Sequence, residues 1–256
     1  MTDLRKTAVV TGGSSGIGKA IVKRLARDGY RVAFTGLTPM RVSQTVSELQ
    51  SEIERADIIG SAFNIREAGR IQSFFEEVQR KFGDVGILIN NAAISPKENG
   101  LKIPTHKLTL AQFEDVIAAN LTAPLLCTQC VLPGMMQARF GRIVMIGSLA
   151  ARTVPKFAGS AYVASKAGLA GLARALAGEY ASFGITTNIV SPGNVATRMT
   201  SGNSSAAMQA AVDRIPAGRL GLPEDFPGIV AFLCSQEAAF ISGATIDVTG
   251  GEYVPA

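Results

Sequence analysis

The sequence is poor in the residues that build metal centres and acyl-transfer triads. It has one histidine, His106, and three cysteines, Cys127, Cys130 and Cys234. With no Cys/His cluster, most metal sites are excluded, as is any Ser/His/Asp triad not built on His106. No metal is expected. Cys127 and Cys130 have C-x-x-C spacing but lie inside a helical pattern, far from a thioredoxin-like start. Buried, reduced thiols are expected there. No uninterrupted apolar run of transmembrane length is read in the chain. The first residues run into a strand, with too short an apolar stretch for a signal peptide, so the expected location is the cytoplasm. Net charge is +5, but the basic residues are scattered without interleaved aromatics. That pattern implies mild anion attraction and no nucleic-acid surface. Repeats and low-complexity linkers are also lacking.

What is present suits one α/β domain over 1–256. Hydrophobic residues make up 47% of the chain, enough for a large core. Short β-branched runs alternate with helical patterns. Thr7 to Thr11 reads as a strand and leads into Gly12-Gly13-Ser14-Ser15-Gly16-Ile17-Gly18. Glycines there permit a tight turn and close backbone approach, and the following helix N-terminus faces a pyrophosphate. Arg31 to Gly36 is the second strand. A carboxylate at its end would bind ribose hydroxyls and repel a 2′-phosphate. Gly36, Leu37 and Thr38 stand there instead, and Arg41 is the nearest cation. The reading is room for a 2′-phosphate at Gly36, weak discrimination between NAD(H) and NADP(H), and a lean to NADP(H).

Ile58 to Ile65 is a third strand ending in Asn64-Ile65. Asn64 either meets an adenine edge or caps the helix near Glu67. Val85 to Ala93 is a continuous apolar strand, the pattern of a doubly covered parallel sheet. The segment 94–110 reads as a long irregular loop, and such loops are uncommon unless functional. In the next helix Asn120 sits among apolar residues, either simply bonded or functional. Strands at Arg142 to Ser148, Thr186 to Ser191 and Ala244 to Thr249 complete seven. Residues 194–218 read as a mobile helical flap.

One stretch organises the chemistry. Tyr162-x-x-x-Lys166 places an ammonium and a phenol on one helix face. A free phenol has a pKa of about 10, and a nearby cation lowers it. Ser148 ends the apolar run before this helix and is placed to hydrogen-bond a substrate oxygen. A Tyr-x-x-x-Lys pair alone is common on helix surfaces. It gains meaning from a cofactor loop and an alternating topology in the same chain.

Together these pieces resemble the short-chain dehydrogenase/reductase family. The matching residues are TGGSSGIG at 11–18, NNAA at 90–93, Asn120, Ser148, Tyr162-Ala-Ser-Lys166, and Ser191-Pro192-Gly193 with Thr197. The likeness spans essentially the whole chain and is greatest to the 3-oxoacyl-carrier-protein reductase branch, through 215–225 and 241–253. It implies a single Rossmann-type, doubly wound, seven-stranded parallel sheet in order 3-2-1-4-5-6-7, with helices on both faces. It implies Tyr162 as general acid/base, Ser148 positioning the reacting oxygen, and Lys166 binding the nicotinamide ribose and lowering the tyrosine pKa. Asn120 would hold a relay water. Cofactor contacts would come from Gly12, Ser14, Ser15, Gly16, Ile17, Gly18, Leu37, Thr38, Asn64, Ile65, Asn91, Ala92, Ala93, Tyr162, Lys166, Pro192, Gly193, Val195 and Thr197. A homotetramer acting on a small-molecule substrate is implied.

Departures from the family pattern sit beside the substrate. Ala93 replaces a usual glycine, and the Ser148–Tyr162 spacing is one residue longer than is common. Phe183 stands where many carrier-protein reductases have a basic docking residue, although Arg139 matches a second such position. Substrate walls are expected from 94–110, 149–161 and 194–218, with Ile94, Leu149, Val154, Phe157, Val195, Met199 and Met208 as apolar members. These favour a ketone or secondary alcohol with an apolar or aromatic body. Lys97, Lys102, Arg152 and Lys156 in the same loops are the counterweight. The alternative is a 3-oxoacyl-carrier-protein reductase of fatty-acid synthesis.

Overall fold

Seven apolar segments pair into one parallel sheet in the computed structural model, which describes residues 6–98, 100–197 and 205–255. The strands are β1 (Thr7–Val10), β2 (Arg31–Gly36), β3 (Ile58–Ala62), β4 (Ile87–Asn90), β5 (Gly141–Ile146), β6 (Ile185–Pro192) and β7 (Thr245–Val248). Numbered this way, their spatial order is 3-2-1-4-5-6-7, as the sequence led one to expect. Strands β1, β4, β5 and β6 are buried along their whole length, because helices cover both faces.

On one face lie α1 (Gly16–Arg27), α2 (Pro39–Glu52) and α8 (Pro227–Cys234), which pack Ile21, Leu25, Leu49 and Leu233 onto the sheet. On the other lie α3 (Ala68–Phe82), α5 (Ala123–Ala138) and α6 (Ser160–Tyr180), through Phe74, Val131 and Leu169. The strand order reverses between β1 and β4, so a crevice opens there at the carboxyl ends.

Several local expectations change. Among the described residues of 94–110, regular pieces stand where an irregular loop was expected. Lys97–Glu98 pairs antiparallel with Leu101–Lys102, and a 3₁₀ turn follows at Thr105–Lys107. Gly100, at φ 77°, supplies the left-handed conformation that so short a hairpin turn requires. Cys127 is buried as expected, but Cys130 is exposed. A step of three residues falls short of a full turn and brings Cys130 to the outer edge of α5. Helix α4 (Leu110–Ile117) continues through a π-helical turn (Ala118–Thr122) into α5. The resulting 29-residue helix is long and apolar enough by composition to cross a membrane, which the sequence reading missed. Its Val116, Ala123, Cys127 and Val131 are buried, so it is read as a core helix packed on the sheet. The 194–218 segment is described as far as Thr197 and again from α7 (Ser205–Val212). Met199 lies outside the described residues.

At the amino end of the sheet, far from the crevice, Arg142 is only 2% exposed. Its guanidinium donates to the carbonyls of Gly141 (2.9 Å), Gly184 (3.1 Å) and Ser235 (3.1 Å) and to Gln236 Oε1 (3.2 Å). It also stacks on Phe140 at 4.5 Å. Ser235 caps the carboxyl end of α8, where a cation is favoured. Arg142→Met strands several buried carbonyls and is expected to cost about 2–4 kcal/mol in urea unfolding. Turnover below the unfolding temperature should stay near that of the parent.

Candidate active site

The glycine turn is bolted to the strand ends around it. Gly12 takes φ 68°, and its N–H donates to Thr35 Oγ1 at 3.1 Å. Asn91 Nδ2 donates to the carbonyls of Thr11 (2.9 Å) and Gly12 (3.2 Å). The N–H groups of Asn91 and Ala92 both donate to Thr11 Oγ1, at 2.9 and 3.0 Å. A Cβ on Gly18 would lie 2.3 Å from the Gly12 carbonyl oxygen, so only glycine lets α1 rise this close to the turn. Asn91 is therefore first a fastener for the loop.

The open side of the turn suits a dinucleotide pyrophosphate. Ser15, the N-cap of α1, makes no side-chain capping bond, and no acid stands in the first turn. The first N–H groups of the helix and its dipole thus point to an anion. A Cβ on Gly16 would approach only Thr197, at 3.6 Å, so these two residues face each other across the cradle.

The adenosine end differs from expectation. Gly36 leaves no room, because a Cβ there would lie 2.5 Å from Ser14 Oγ and 2.6 Å from Val42 Cγ2. The space belongs to the chain's own side chains. Leu37 is 71% exposed, so the open position at this end is Leu37 and not Gly36. Thr38 is exposed and begins α2 without a side-chain cap. Asn64 caps no helix. Its Oδ1 accepts from the backbone N–H of Arg66 at 3.2 Å in a local turn, while Glu67 is the N-cap of α3.

At the centre, the Ser148 side chain stands beside the Tyr162 phenol, close enough to favour its ionised form. Ser148 Oγ accepts from Ala150 N–H at 3.2 Å, which leaves its proton available to donate. Lys166 lies 5.8 Å from the Tyr162 ring centroid and donates to the Ile146 carbonyl at 2.7 Å. The expected lowering of the phenol pKa is reversed in the free protein. Burial raises the Tyr162 pKa, and Ser148 offsets this only in part. Burial also lowers Lys166 to about 8. Burial is the leading cause at both groups, completely for Lys166 and partly for Tyr162, whose side chain keeps some exposure.

Asn120 occupies the π-helical turn and is fully buried. Its side chain exchanges two hydrogen bonds with the Ile94 backbone, at 2.8 and 2.9 Å, and donates to Ser165 Oγ at 3.0 Å. Ser165 in turn bonds the Tyr162 carbonyl at 2.7 Å. The asparagine thus ties the loop after β4 to the catalytic helix. π-turns of this kind recur at functional sites.

Two of the segments expected as substrate walls, 94–110 and 149–161, do meet beside Tyr162, though through other side chains than those named. Beside Tyr162 a narrow cleft is lined by Ser95, Pro96, Ile103, Leu108 and Gly159 to Ala161. Leu149 and Val195 are buried, and Val154 is 94% exposed. The hairpin folds over the 149–159 segment and is pinned by Lys102 Nζ on the Pro155 carbonyl at 3.0 Å. Alternating apolar residues could have marked Ile103 and Leu108, but nothing local marks Ser95 or Ser160. Val195 has its side chain in the core, and its backbone bridges to Gly221.

The lysine has a measurable consequence. Its ordinary value is 10.5 and its buried value about 8. Protonated, Lys166 is worse off folded than unfolded, so it opposes folding by on the order of 3 kcal/mol at neutral pH. This opposition fades as pH rises from about 8 toward 10.5. In urea unfolding of the cofactor-free protein, Lys166→Met should be more stable than the parent at pH 7. The gap should narrow at about pH 9.5; a gap that widens would contradict the burial account.

Comparison with known proteins agrees with this geometry. The family model described as enoyl-(acyl carrier protein) reductase matches residues 12–252. The chain is 38% identical over 249 residues to the 3-oxoacyl-acyl-carrier-protein reductase FabG of Escherichia coli, covering 97% of this chain and 98% of that one. It is 38% identical over 250 residues to the acetoacetyl-CoA reductase of Cupriavidus necator, covering 98% and 99%. A 3-oxoacyl-acyl-carrier-protein reductase of Brucella melitensis, solved with bound NAD, superposes with a TM-score of 0.90 at 27% identity, covering 98% and 92%. The chain belongs to the short-chain dehydrogenase/reductase family, NAD(P)-dependent oxidoreductases acting on alcohol and ketone groups.

Proposed function

We propose that the chain moves a hydride between NAD(P)(H) and a ketone or secondary alcohol with an apolar or aromatic body, with Tyr162 as general acid/base. What supports this reading is the gathering of Ser148, Tyr162 and buried Lys166 in one place, with Lys166 Nζ 5.8 Å from the Tyr162 ring centroid. A bound nicotinamide supplies or accepts the hydride. Tyr162 gives its proton to the carbonyl oxygen in reduction and recovers it in oxidation. Its raised pKa keeps it protonated and ready as an acid at neutral pH. Ser148 orients the same oxygen. Lys166 holds the nicotinamide ribose, and its ammonium favours the phenolate left after proton transfer. Asn120 carries the relay onward to solvent. Gly12, Ser14, Gly16, Ile17, Gly18 and Thr197 hold the pyrophosphate side; Ala93, Pro192, Gly193 and Val195 hold the nicotinamide side. In the same reading, 1–256 is one domain, and the enzyme is cytoplasmic and homotetrameric.

Apolar cleft members Pro96, Ile103 and Leu108 support an uncharged substrate body. A 3-oxoacyl thioester on an acyl carrier is the second reading, favoured by the name of the Escherichia coli relative. Exposed Arg139 donates to the Ser182 carbonyl at 2.6 Å, beside Phe183 at the position where docking charge is missing.

For the cofactor we propose weak discrimination with a lean to NADP(H). Arg41 stands in the first turn of α2, and no acid accompanies it. That helix end favours an added phosphate. Leu37→Asp, and not Gly36→Asp, is the informative variant. It should move the kcat/KM ratio toward NAD(H) by roughly tenfold or more. A parent enzyme preferring NAD(H) by about two orders of magnitude would contradict the lean.

Tyr162→Phe is expected to lower kcat by at least about 10²-fold with cofactor affinity nearly unchanged. Near-parental turnover would remove the tyrosine from its role. A panel of uncharged aryl and alkyl ketones, run against a carrier-bound 3-oxoacyl thioester, separates the two substrate readings. A carrier substrate favoured by about a hundredfold in kcat/KM would select the second.

A further inference from the structure

The carboxyl-terminal turn grips both walls of the site. Asp247 lies on β7, in register with Ser191 of β6. Ile246 and Val248 point into the α1/α8 core, so alternation turns Asp247 to the opposite face. There both its oxygens accept from Arg152 Nη1, each at 2.8 Å. The Asp247 side chain is only 12% exposed, which places the pair above the weak surface class. Tyr253 completes the grip. Its ring lies 4.8 Å from the Arg152 guanidinium, and its hydroxyl accepts from Nη2 at 3.4 Å.

Arg152 is rigidly joined to Ser148. It closes the 3₁₀ turn Leu149–Ala151, of which Ser148 is the N-cap. Arg152 N–H donates to the Leu149 carbonyl at 2.9 Å, and Ala151 N–H to the Ser148 carbonyl at 3.1 Å. On the other side, Asn194 Nδ2 donates to both oxygens of Glu252, at 2.7 and 3.0 Å. Gly193 N–H donates to the Val248 carbonyl at 3.1 Å. Gly250 and Gly251, both left-handed at φ 63° and 86°, bend the chain so that residues 252 and 253 reach these partners.

We infer that Asp247, with the turn 249–253, is a positioning clamp: through Arg152 it sets the Ser148 hydroxyl, and through Glu252 it sets the chain at Gly193–Asn194. The inference rests on the reading that Ser148 orients the reacting oxygen. Its chemical content is distance. Catalytic oxygens work within tenths of an ångström, and a turn released by one bidentate ion pair lets Ser148 drift from Tyr162. Arg152 and Lys102 thereby have partners within the chain, which removes them from the set of substrate anchors considered above.

The test uses Asp247→Asn, Arg152→Met, their double variant and Asp247→Glu in the full chain. Asp247→Asn is expected to lower kcat about tenfold while cofactor affinity, read by nicotinamide fluorescence, stays unchanged. The double variant should be no worse than the poorer single, because the two act as one unit. Asp247→Glu should restore most of the rate. A kcat within about twofold of the parent, additive losses, or a fall in cofactor affinity matching the fall in rate would each overturn the clamp. Ser148→Ala separates the failures. If it abolishes turnover while Asp247→Asn is silent, only the clamp falls. If Ser148→Ala is itself silent, the underlying reading falls and the clamp with it.

Discussion

A lysine kept out of water is the constraint around which the site is arranged. Lys166 is 3% exposed, and the hydrogen-bond partner found for it is the Ile146 carbonyl at the end of β5. A buried ammonium answered by a neutral carbonyl is under-compensated. In the proposed mechanism that cost falls where a ribose and a phenolate would share the charge. Tyr162 is strained in the complementary sense, since burial disfavours its ionised form. Each group alone is misplaced in the free protein, and each becomes appropriate when the other changes charge or a ligand arrives.

The surrounding structure keeps these two groups from relaxing. β5 ends at Ile146, Ser148 caps the turn Leu149–Ala151, and α6 begins at Ser160. Asn120 stitches the loop after β4 to Ser165, one turn along α6 from Tyr162. Arg152 holds the Ser148 turn to β7. Three separate crossings of the sheet therefore converge on one hydroxyl pair. The convergence follows from parallel topology, which brings every strand's carboxyl end to the same edge.

Cofactor and substrate regions obey different rules. The cradle at 12–18 is made of backbone, so its geometry follows from local glycine chemistry and changes little with context. The cleft beside Tyr162 is walled by side chains from 95–108 and 159–161, and their facing depends on how those segments fold over one another. A two-strand hairpin decides that Ile103 and Leu108 line the cleft, while Leu149 and Val195 turn into the core.

The sheet order, the glycine cradle and the Tyr162–Lys166 pair were legible in the sequence. The cradle and the pair rest on short-range spacing, strand–turn–helix punctuation and residues four apart on a helix, whereas the sheet order was implied by the family resemblance. The hairpin at 97–102 was missed because its pairing covers two residues per strand and carries no alternation. The membrane-length helix at 110–138 was missed because its apolar run is broken by polar residues that one face conceals. Space at Gly36 was misjudged because Ser14 and Val42, distant in sequence, already fill it. The sign of the tyrosine shift was beyond spacing altogether. Proximity of a cation can be read from i and i+4, but burial is a property of everything packed around the pair. What the sequence determined by itself was therefore the local chemistry that repeats along a chain; what only the tertiary structure decided was solvent exclusion and the company of residues far apart, because both are set by the whole fold at once.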